Sequence, residues 1–161
     1  MNKITNLVLV VFCCTLVSCG NADDQDNNSI STEQETLIFP RGEKITNSNF
    51  VGNAWLTWLV QADSINENSV GSVTFEPGAR TNWHLHPTGQ IILATGGVGY
   101  YQEEGSPKRI LKKGDAVKCP PNVPHWHGAS LDQEFIQIAI TSRQNGPTEW
   151  LQAVTDEEYS Q

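Results

Sequence analysis

The chain has 161 residues, and its 10 Lys and Arg against 18 Asp and Glu give a formal net charge of −8. This length suits a single domain and leaves little room for a second one. The acidic balance argues against nucleic acid as a partner, because phosphate recognition needs a basic face.

The N-terminal residues have the pattern of an export signal. Lys3 is followed by Ile4–Val17, a largely apolar run without charge that is too short to cross a bilayer as a helix. The run ends in Leu16-Val17-Ser18-Cys19, which resembles the lipobox of bacterial lipoproteins; an ordinary secretory signal cleaved nearby is the alternative. We therefore predict a signal peptide over residues 1–18 and a lipid on Cys19. The exported protein would then be anchored by that lipid alone to a bacterial membrane, in the periplasm or at the cell surface.

Residues 19–36 are polar and acidic, with five Asp and Glu and no Lys or Arg. Such a segment buries too little apolar surface to order itself, which predicts a disordered tether and a folded domain over 37–161. Cys13 and Cys14 would leave with the signal peptide, so Cys119 is the one cysteine expected in the domain. An internal disulfide is thereby excluded, and Cys119 is expected to be a small buried hydrophobe.

The domain sequence consists of short apolar runs separated by Gly, Pro and Asn, which is typical of a β-sandwich or barrel. The breaks include Gly96-Gly97, and Gly99 is a candidate bulge or bend within a strand. Near the C-terminus, Thr155 with Glu158 three residues later is a capping-box pattern that predicts a short helix. The predicted strands are Trp55–Val60, Val70–Phe75, Ile91–Thr95, Val98–Gln102, Arg109–Leu111, Ala116–Cys119 and Phe135–Ile140.

All four histidines fall in two His-x-His triplets, His84-Leu85-His86 and His125-Trp126-His127. On a strand, residues i and i+2 point to the same face, so each triplet directs two imidazoles at one surface. Neutral imidazole is the commonest ligand of first-row divalent metals, and two convergent pairs predict a metal site. A polar patch of structural histidines is the alternative. Trp83 and Trp126, being out of phase, should face away from the metal, towards the outer face or a subunit contact; Trp55 and Trp58 are expected in the core.

Both triplets lie within spacings that resemble the two motifs of the cupin superfamily. The first motif corresponds to Gly78, His84, His86, Gln90 and Gly97, and the second to Gly114, Pro120, Asn122 and His125. The resemblance covers roughly residues 40 to 155. It implies an all-β fold, the double-stranded β-helix or jelly-roll barrel, here with a short C-terminal helix. It also implies one divalent metal ion per chain, held by His84, His86, Gln90 and His125.

Gln90 departs from the motif, which has a glutamate at this position. A glutamine binds metal through a neutral oxygen, so the charge of the ion would stay uncompensated and favour an anionic guest. The alternative places Gln90 outside the ligand set, beside a site of three histidines. For His127 three roles are open: a further ligand, a packed structural residue, or a proton carrier in contact with substrate. We favour the last, which makes His127 the candidate catalytic residue.

A narrower resemblance concerns the runs 74–87, 125–129 and 154–159. They are similar to a group of small bacterial cupins of type 2 that includes manganese-dependent hydroxynitrile lyases and carboxymuconolactone-decarboxylase-associated proteins. The resemblance implies manganese ahead of iron, zinc, nickel or copper, and cleavage of a C–C bond next to a hydroxyl. In those lyases a histidine serves as base where this chain has Gln137, and a glutamine cannot take up a proton at neutral pH.

Three functions therefore remain open from the sequence. The first is a metal-dependent lyase or isomerase that acts on a small oxygenated molecule, with His127 as acid and base. The second is a dioxygenase-type oxidoreductase, and the third is a non-catalytic lipoprotein that binds a metal or a ligand. The family resemblance further implies a homodimer or a higher homo-oligomer, which the segment Ile45–Val60 would pair.

Overall fold

The computed structural model describes residues 37–161, which belong to one compact unit. The predicted signal peptide, Cys19 and the predicted tether lie outside the described residues. Within residues 37–161, no helix is long and apolar enough to cross a membrane.

The described chain is mostly antiparallel strand and curls into a half-barrel, which confirms the predicted fold class. The strands are hydrogen-bonded in the order β1-β3-β4-β11-β7-β10-β5-β2, while β6, β8, β9 and β12 pair off this path. The elements are β1 Glu43–Lys44, β2 Phe50–Val51, β3 Ala54–Val60, β4 Asn68–Phe75, β5 Arg80–Thr81, β6 His84–Leu85, β7 Gln90–Glu103, β8 Arg109–Lys112, β9 Ala116–Cys119, β10 His125–Ala129, β11 Phe135–Ser142, β12 Glu149–Trp150 and α1 Asp156–Ser160.

Strand β7 runs through the glycine pair that predicts a break between two strands. Gly96 and Gly97 lie inside one continuous strand, opposite Ile136 and Phe135 of β11. The register then shifts and leaves Thr95 without an opposite residue, which is a β-bulge. The prediction of two strands here was wrong because the glycines bend the strand and do not end it. The first half of β7 pairs with β9 and β11, and the second half with β8 and β10.

The main core is formed mainly by side chains of strands β3, β4, β7, β8, β9, β10 and β11. Phe75 and Phe135 are fully buried, with ring centroids 6.5 Å apart. Gly99 provides room for this packing, since a Cβ atom there would lie 2.4 Å from Cγ of Phe135. Gly99 therefore marks a close contact, and the bulge that it suggested lies at Thr95. Cys119 is buried in the same core as a free thiol, as expected.

The C-terminal segment covers a second, smaller core. Thr155 caps helix α1 in a capping box with Glu158, as predicted. Tyr159 of this helix packs with Trp83 and Trp126. Both tryptophans belong to this second core and not to the main one. Because the chain's own C-terminal segment covers them, their burial requires no subunit contact.

Candidate metal centre

Strand pairing brings the two histidine triplets together. His125 of β10 lies directly opposite His84 of β6 in the antiparallel register, and His127 lies one residue pair further along β10. His86 follows β6, and Gln90 is the first residue of β7. All five side chains are buried, with exposed fractions between 0% for His125 and 7% for Gln90. The residues that the sequence singled out therefore meet in one region.

The imidazole rings are close enough to share one ion. The His84 ring centroid lies 4.4 Å from that of His125, 5.1 Å from His86 and 5.2 Å from His127. One ligand atom from each of His84, His125 and His127 lies within 4.8 Å of the other two. This compact group contains His127 and omits His86, so it differs from the predicted set of His84, His86, Gln90 and His125. That set remains a prediction.

Backbone carbonyls orient two of the rings. The Nδ1 atom of His84 lies 2.9 Å from the Asn82 carbonyl oxygen, and that of His125 lies 2.9 Å from the Val123 carbonyl oxygen. Because a carbonyl oxygen only accepts, each Nδ1 carries the proton and donates it, and each Nε2 keeps its lone pair. Metal-binding histidines are usually oriented in this way through their second nitrogen.

His86 and Gln90 show the same division between a paired atom and an unpaired one. Thr148 Oγ1 lies 3.2 Å from Nδ1 of His86, and Nε2 of Gln90 donates to Thr141 Oγ1 at 3.1 Å. Among residues 37–161, neither Nε2 of His86 nor Oε1 of Gln90 has a hydrogen-bond partner, although both atoms are buried. Each residue is thus fixed through one polar atom and keeps the other available.

His127 is held differently. Its ring packs edge-on against Phe75, with centroids 5.8 Å apart, and its backbone N–H donates to Thr81 Oγ1 at 3.2 Å. Neither ring nitrogen has a hydrogen-bond partner in the described part of the chain. Its tautomer is therefore not fixed by the protein, in contrast to the tautomers of His84 and His125.

Burial keeps the imidazoles neutral. It is the largest cause that lowers the pKa of each of the four, and for His84 and His127 the next cause is the neighbouring His125. The pKa of His86 falls to about 3, with smaller contributions from His125 and Arg143. Metal ions bind the neutral imidazole, so these shifts leave the ligand atoms in the form that coordinates.

His84, His86 and His127 line a cavity of about 620 Å³, a size that suits a small organic molecule. Within residues 37–161, Glu43 is the only acidic side chain in its wall, whereas Lys44 and Arg143 are basic. The remaining wall combines uncharged polar side chains with apolar and aromatic ones. Its apolar side chains include Phe50, Leu56, Trp58, Val73, Phe75 and Trp150.

Several of these residues were not found from the sequence. Thr141 and Thr148 orient Gln90 and His86, yet each is more than 50 positions away along the chain. Trp150 lies over His84 at 4.9 Å between ring centroids. Trp58, which was expected in the core, lines the cavity and is 48% exposed. Side chains brought in from distant strands leave no short spacing that a sequence motif would show.

The residues present fit a divalent metal ion. Unpaired, buried nitrogen atoms of His86 and His125 and the unpaired oxygen of Gln90 offer lone pairs, and an ion would satisfy them. Gln137 of β11 is fully buried in the same cavity wall, and in the described chain neither atom of its amide has a partner. One ion at the histidines leaves the amide of Gln137 unexplained.

Three similarities to known proteins bear on this site. A family described as "Cupin domain" matches residues 71–140. The (R)-mandelonitrile lyase of Granulicella tundricola is 41% identical over 111 residues, which are 68% of this chain and 85% of that protein. A cupin-like protein from Thermotoga maritima has a similar crystal structure, with a TM-score of 0.75 and 52% identity over 77% of this chain and 95% of that one.

A more distant structure supports the fold alone. The DMSP lyase DddQ of Ruegeria pomeroyi superposes with a TM-score of 0.53 at 21% identity, over 60% of this chain and 51% of that chain.

Proposed function

The chain belongs to the cupin family, and from this premise we propose that it is a metal-dependent lyase acting on a small oxygenated molecule. The observation that carries the proposal is the set of unpaired metal-binding atoms on His86, Gln90, His125 and His127, which lie together at a partly open cavity with both polar and apolar walls. A relative named as a lyase, with 85% of its length matched, supports the reaction class.

We assign the ligand atoms from their partners. His84, His86 and His125 each have Nδ1 within 3.2 Å of an oxygen atom, so Nε2 of each would hold the ion. The oriented amide of Gln90 would add its oxygen. The bound ion would supply a Lewis acid that stabilises negative charge on a substrate oxygen.

His127 is the proposed proton carrier. It is buried and neutral, and among the described residues its ring nitrogens have no partner that fixes their roles. For a cyanohydrin, an imidazole nitrogen of His127 would take the hydroxyl proton while the C–C bond to the nitrile carbon breaks and a carbonyl group forms. The same histidine would then give the proton to the departing cyanide. A positioned acid and base contributes typically about 10²–10⁴-fold to such a rate.

The decisive experiment is cyanide release from (R)-mandelonitrile, measured together with bound metal. We expect release by the wild type and a loss of about 10²-fold or more in His127→Ala with metal content unchanged. His125→Ala, the matched variant on the same strand, should lose the metal as well. Oxygen uptake with phenolic substrates and no cyanide release would contradict the lyase proposal and favour an oxidoreductase.

We propose that the ion is manganese. The family resemblance supports this assignment, and so does a ligand set of neutral nitrogen and oxygen atoms. The assignment is tested by elemental analysis of protein purified from its native compartment. Manganese in the wild type and less of it in Gln90→Ala would support both the ion and the ligand. Full manganese content in Gln90→Ala would place Gln90 outside the ligand set.

Export and assembly are also proposals. Lipid on Cys19 would place the wild type in the membrane fraction and Cys19→Ser in the soluble one, and identical fractionation would contradict the anchor.

Self-association through the N-terminal strands is supported by Trp58 and Val60, which are 48% and 41% exposed on β3. Light scattering should then show a dimer or larger species that Trp58→Lys weakens.

A further inference from the structure

Gln137 occupies an enclosed position on the cavity-facing side of β11. Its side chain has an exposed fraction of 0% and lines the cavity. In the sheet it lies opposite Val73 of β4 on one side and Ala94 of β7 on the other. Both of these neighbours are apolar, so neither offers the Gln137 amide a side-chain hydrogen-bond partner.

Neither polar atom of the Gln137 side-chain amide is paired within the described chain. Within residues 37–161, neither Oε1 nor Nε2 of Gln137 has a hydrogen-bond partner. A buried polar group without a partner destabilises a fold, and an apolar side chain of the same shape would avoid that cost. Gln137 is therefore poorly explained as a support of the fold.

Gln102 shows what a structural glutamine looks like in this protein. Its Oε1 accepts from Nε1 of Trp126 at 2.9 Å, and its Nε2 donates to the Ser106 carbonyl oxygen at 2.9 Å. Gln90 is intermediate, with its nitrogen on Thr141 and its oxygen available. Of the three, Gln137 alone offers a donor and an acceptor side by side to whatever enters the cavity.

We propose that Gln137 is a specificity-determining residue that binds a carboxamide, or a protonated carboxylic acid, on a molecule that enters the cavity. Such a group presents an acceptor and a donor next to each other and matches both atoms of the glutamine amide at once. A nitrile or an ionised carboxylate accepts only and matches Nε2 alone. The inference rests on the proposed function, because it names the class of molecule that the same cavity binds: small 2-hydroxy amides or protonated acids with an apolar body. Such molecules would occupy the cavity without being cleaved, since they carry no cyanide to release.

The test compares Gln137→Met, which keeps the length of the side chain, with Gln102→Met as the matched control. For each full-length, metal-loaded protein, calorimetry gives the affinity for mandelamide and for 1-phenylethanol, which lacks the second polar group. The wild type should bind mandelamide about tenfold or more tightly than 1-phenylethanol. In Gln137→Met this preference should disappear while binding of 1-phenylethanol is unchanged, and Gln102→Met should keep it.

Thermal unfolding without ligand is the second measurement, made with and without chelator. The midpoint of thermal unfolding should rise in Gln137→Met, because an unsatisfied amide is removed, and fall in Gln102→Met, because two hydrogen bonds are lost.

Gln137→Glu is a further variant that keeps the shape of the side chain, and its ligand preference is measured by the same calorimetry. Burial raises the pKa of a carboxyl group, so the comparison is made at a pH where the introduced carboxyl group is ionised; there the variant lacks a donor and should also lose the preference for mandelamide.

Three results would overturn the inference: a preference for mandelamide that survives in Gln137→Met, no such preference in the wild type, or a failure of both Gln137 variants to fold. The first would mean that water satisfies the amide, and the last that Gln137 supports the fold. A failure of the lyase proposal would be distinguishable from a failure of this inference. Absence of cyanide release with mandelamide binding that depends on Gln137 would contradict the lyase proposal alone.

Discussion

Acid should destabilise the metal-free protein well before its carboxylates titrate. Burial, followed by the neighbouring His125, lowers the pKa of His86 from 6.5 to about 3. Between these two values the unfolded chain binds a proton that the folded chain does not. The free energy of unfolding therefore increases with pH across this window, and stability is lost as the pH falls from about 6.5 towards about 3.

The size of the effect follows from the shift. Between pH values of about 7 and about 5, His86 alone should remove about 2 kcal/mol of unfolding free energy, since each pH unit inside the window is worth about 1.4 kcal/mol. His84, His125 and His127 act in the same direction, because burial lowers their pKa values too. For a domain of this size such a loss is a large part of the total stability.

Urea denaturation in the presence of a chelator, at several pH values, measures this loss. The matched variant is His86→Gln, which is uncharged throughout and should lose about 2 kcal/mol less than the wild type over the same interval. Equal losses in the two proteins would refute the reasoning, and so would a wild-type stability that does not change with pH.

Three further predictions concern packing and ligand charge. Gly99→Ala should destabilise the fold by about 1–3 kcal/mol, measured by urea denaturation, because its Cβ would overlap the buried ring of Phe135. Gln90→Glu should tighten metal binding and make it more dependent on pH, seen in competition with a fluorescent chelator, because a carboxylate adds charge and must lose its proton to bind. Arg80→Met should cost more stability than Asp156→Asn. Arg80 is 4% exposed and donates to a buried backbone carbonyl, whereas the Asp156 side chain of the same ion pair is 97% exposed.

The sequence predicted the parts of the fold that depend on local spacing. The histidine triplets predicted the site because i and i+2 share a face of a strand, as His125 and His127 do on β10, whereas β6 ends at Leu85 before His86. The capping box located the C-terminal helix. The glycine pair in β7 misled the prediction because glycine permits both a turn and a bend, and only pairing with β11 decides between them. Patterns over a few residues do not contain that information.

The partners of the candidate ligands were beyond sequence reasoning for a related reason. No local sequence pattern marks Thr141 or Thr148, and only the folding of the sheet places them against Gln90 and His86. Gln137 was noted as a departure from a resemblance, but its burial and its unsatisfied amide are properties of the fold.

The distribution of unsatisfied polar atoms links the fold to its function. Nine buried side-chain atoms lack a hydrogen-bond partner within residues 37–161, and seven of them belong to His86, Gln90, His125, His127 and Gln137. Defects of packing would be scattered through the core, whereas four of these five residues line one cavity and the fifth, His125, lies opposite His84 of the same cavity wall. Each lowers the stability of the empty protein, and a bound ion and a bound guest together would satisfy them. The same atoms that make the cavity costly to fold are therefore the ones that would bind the proposed ion and guest.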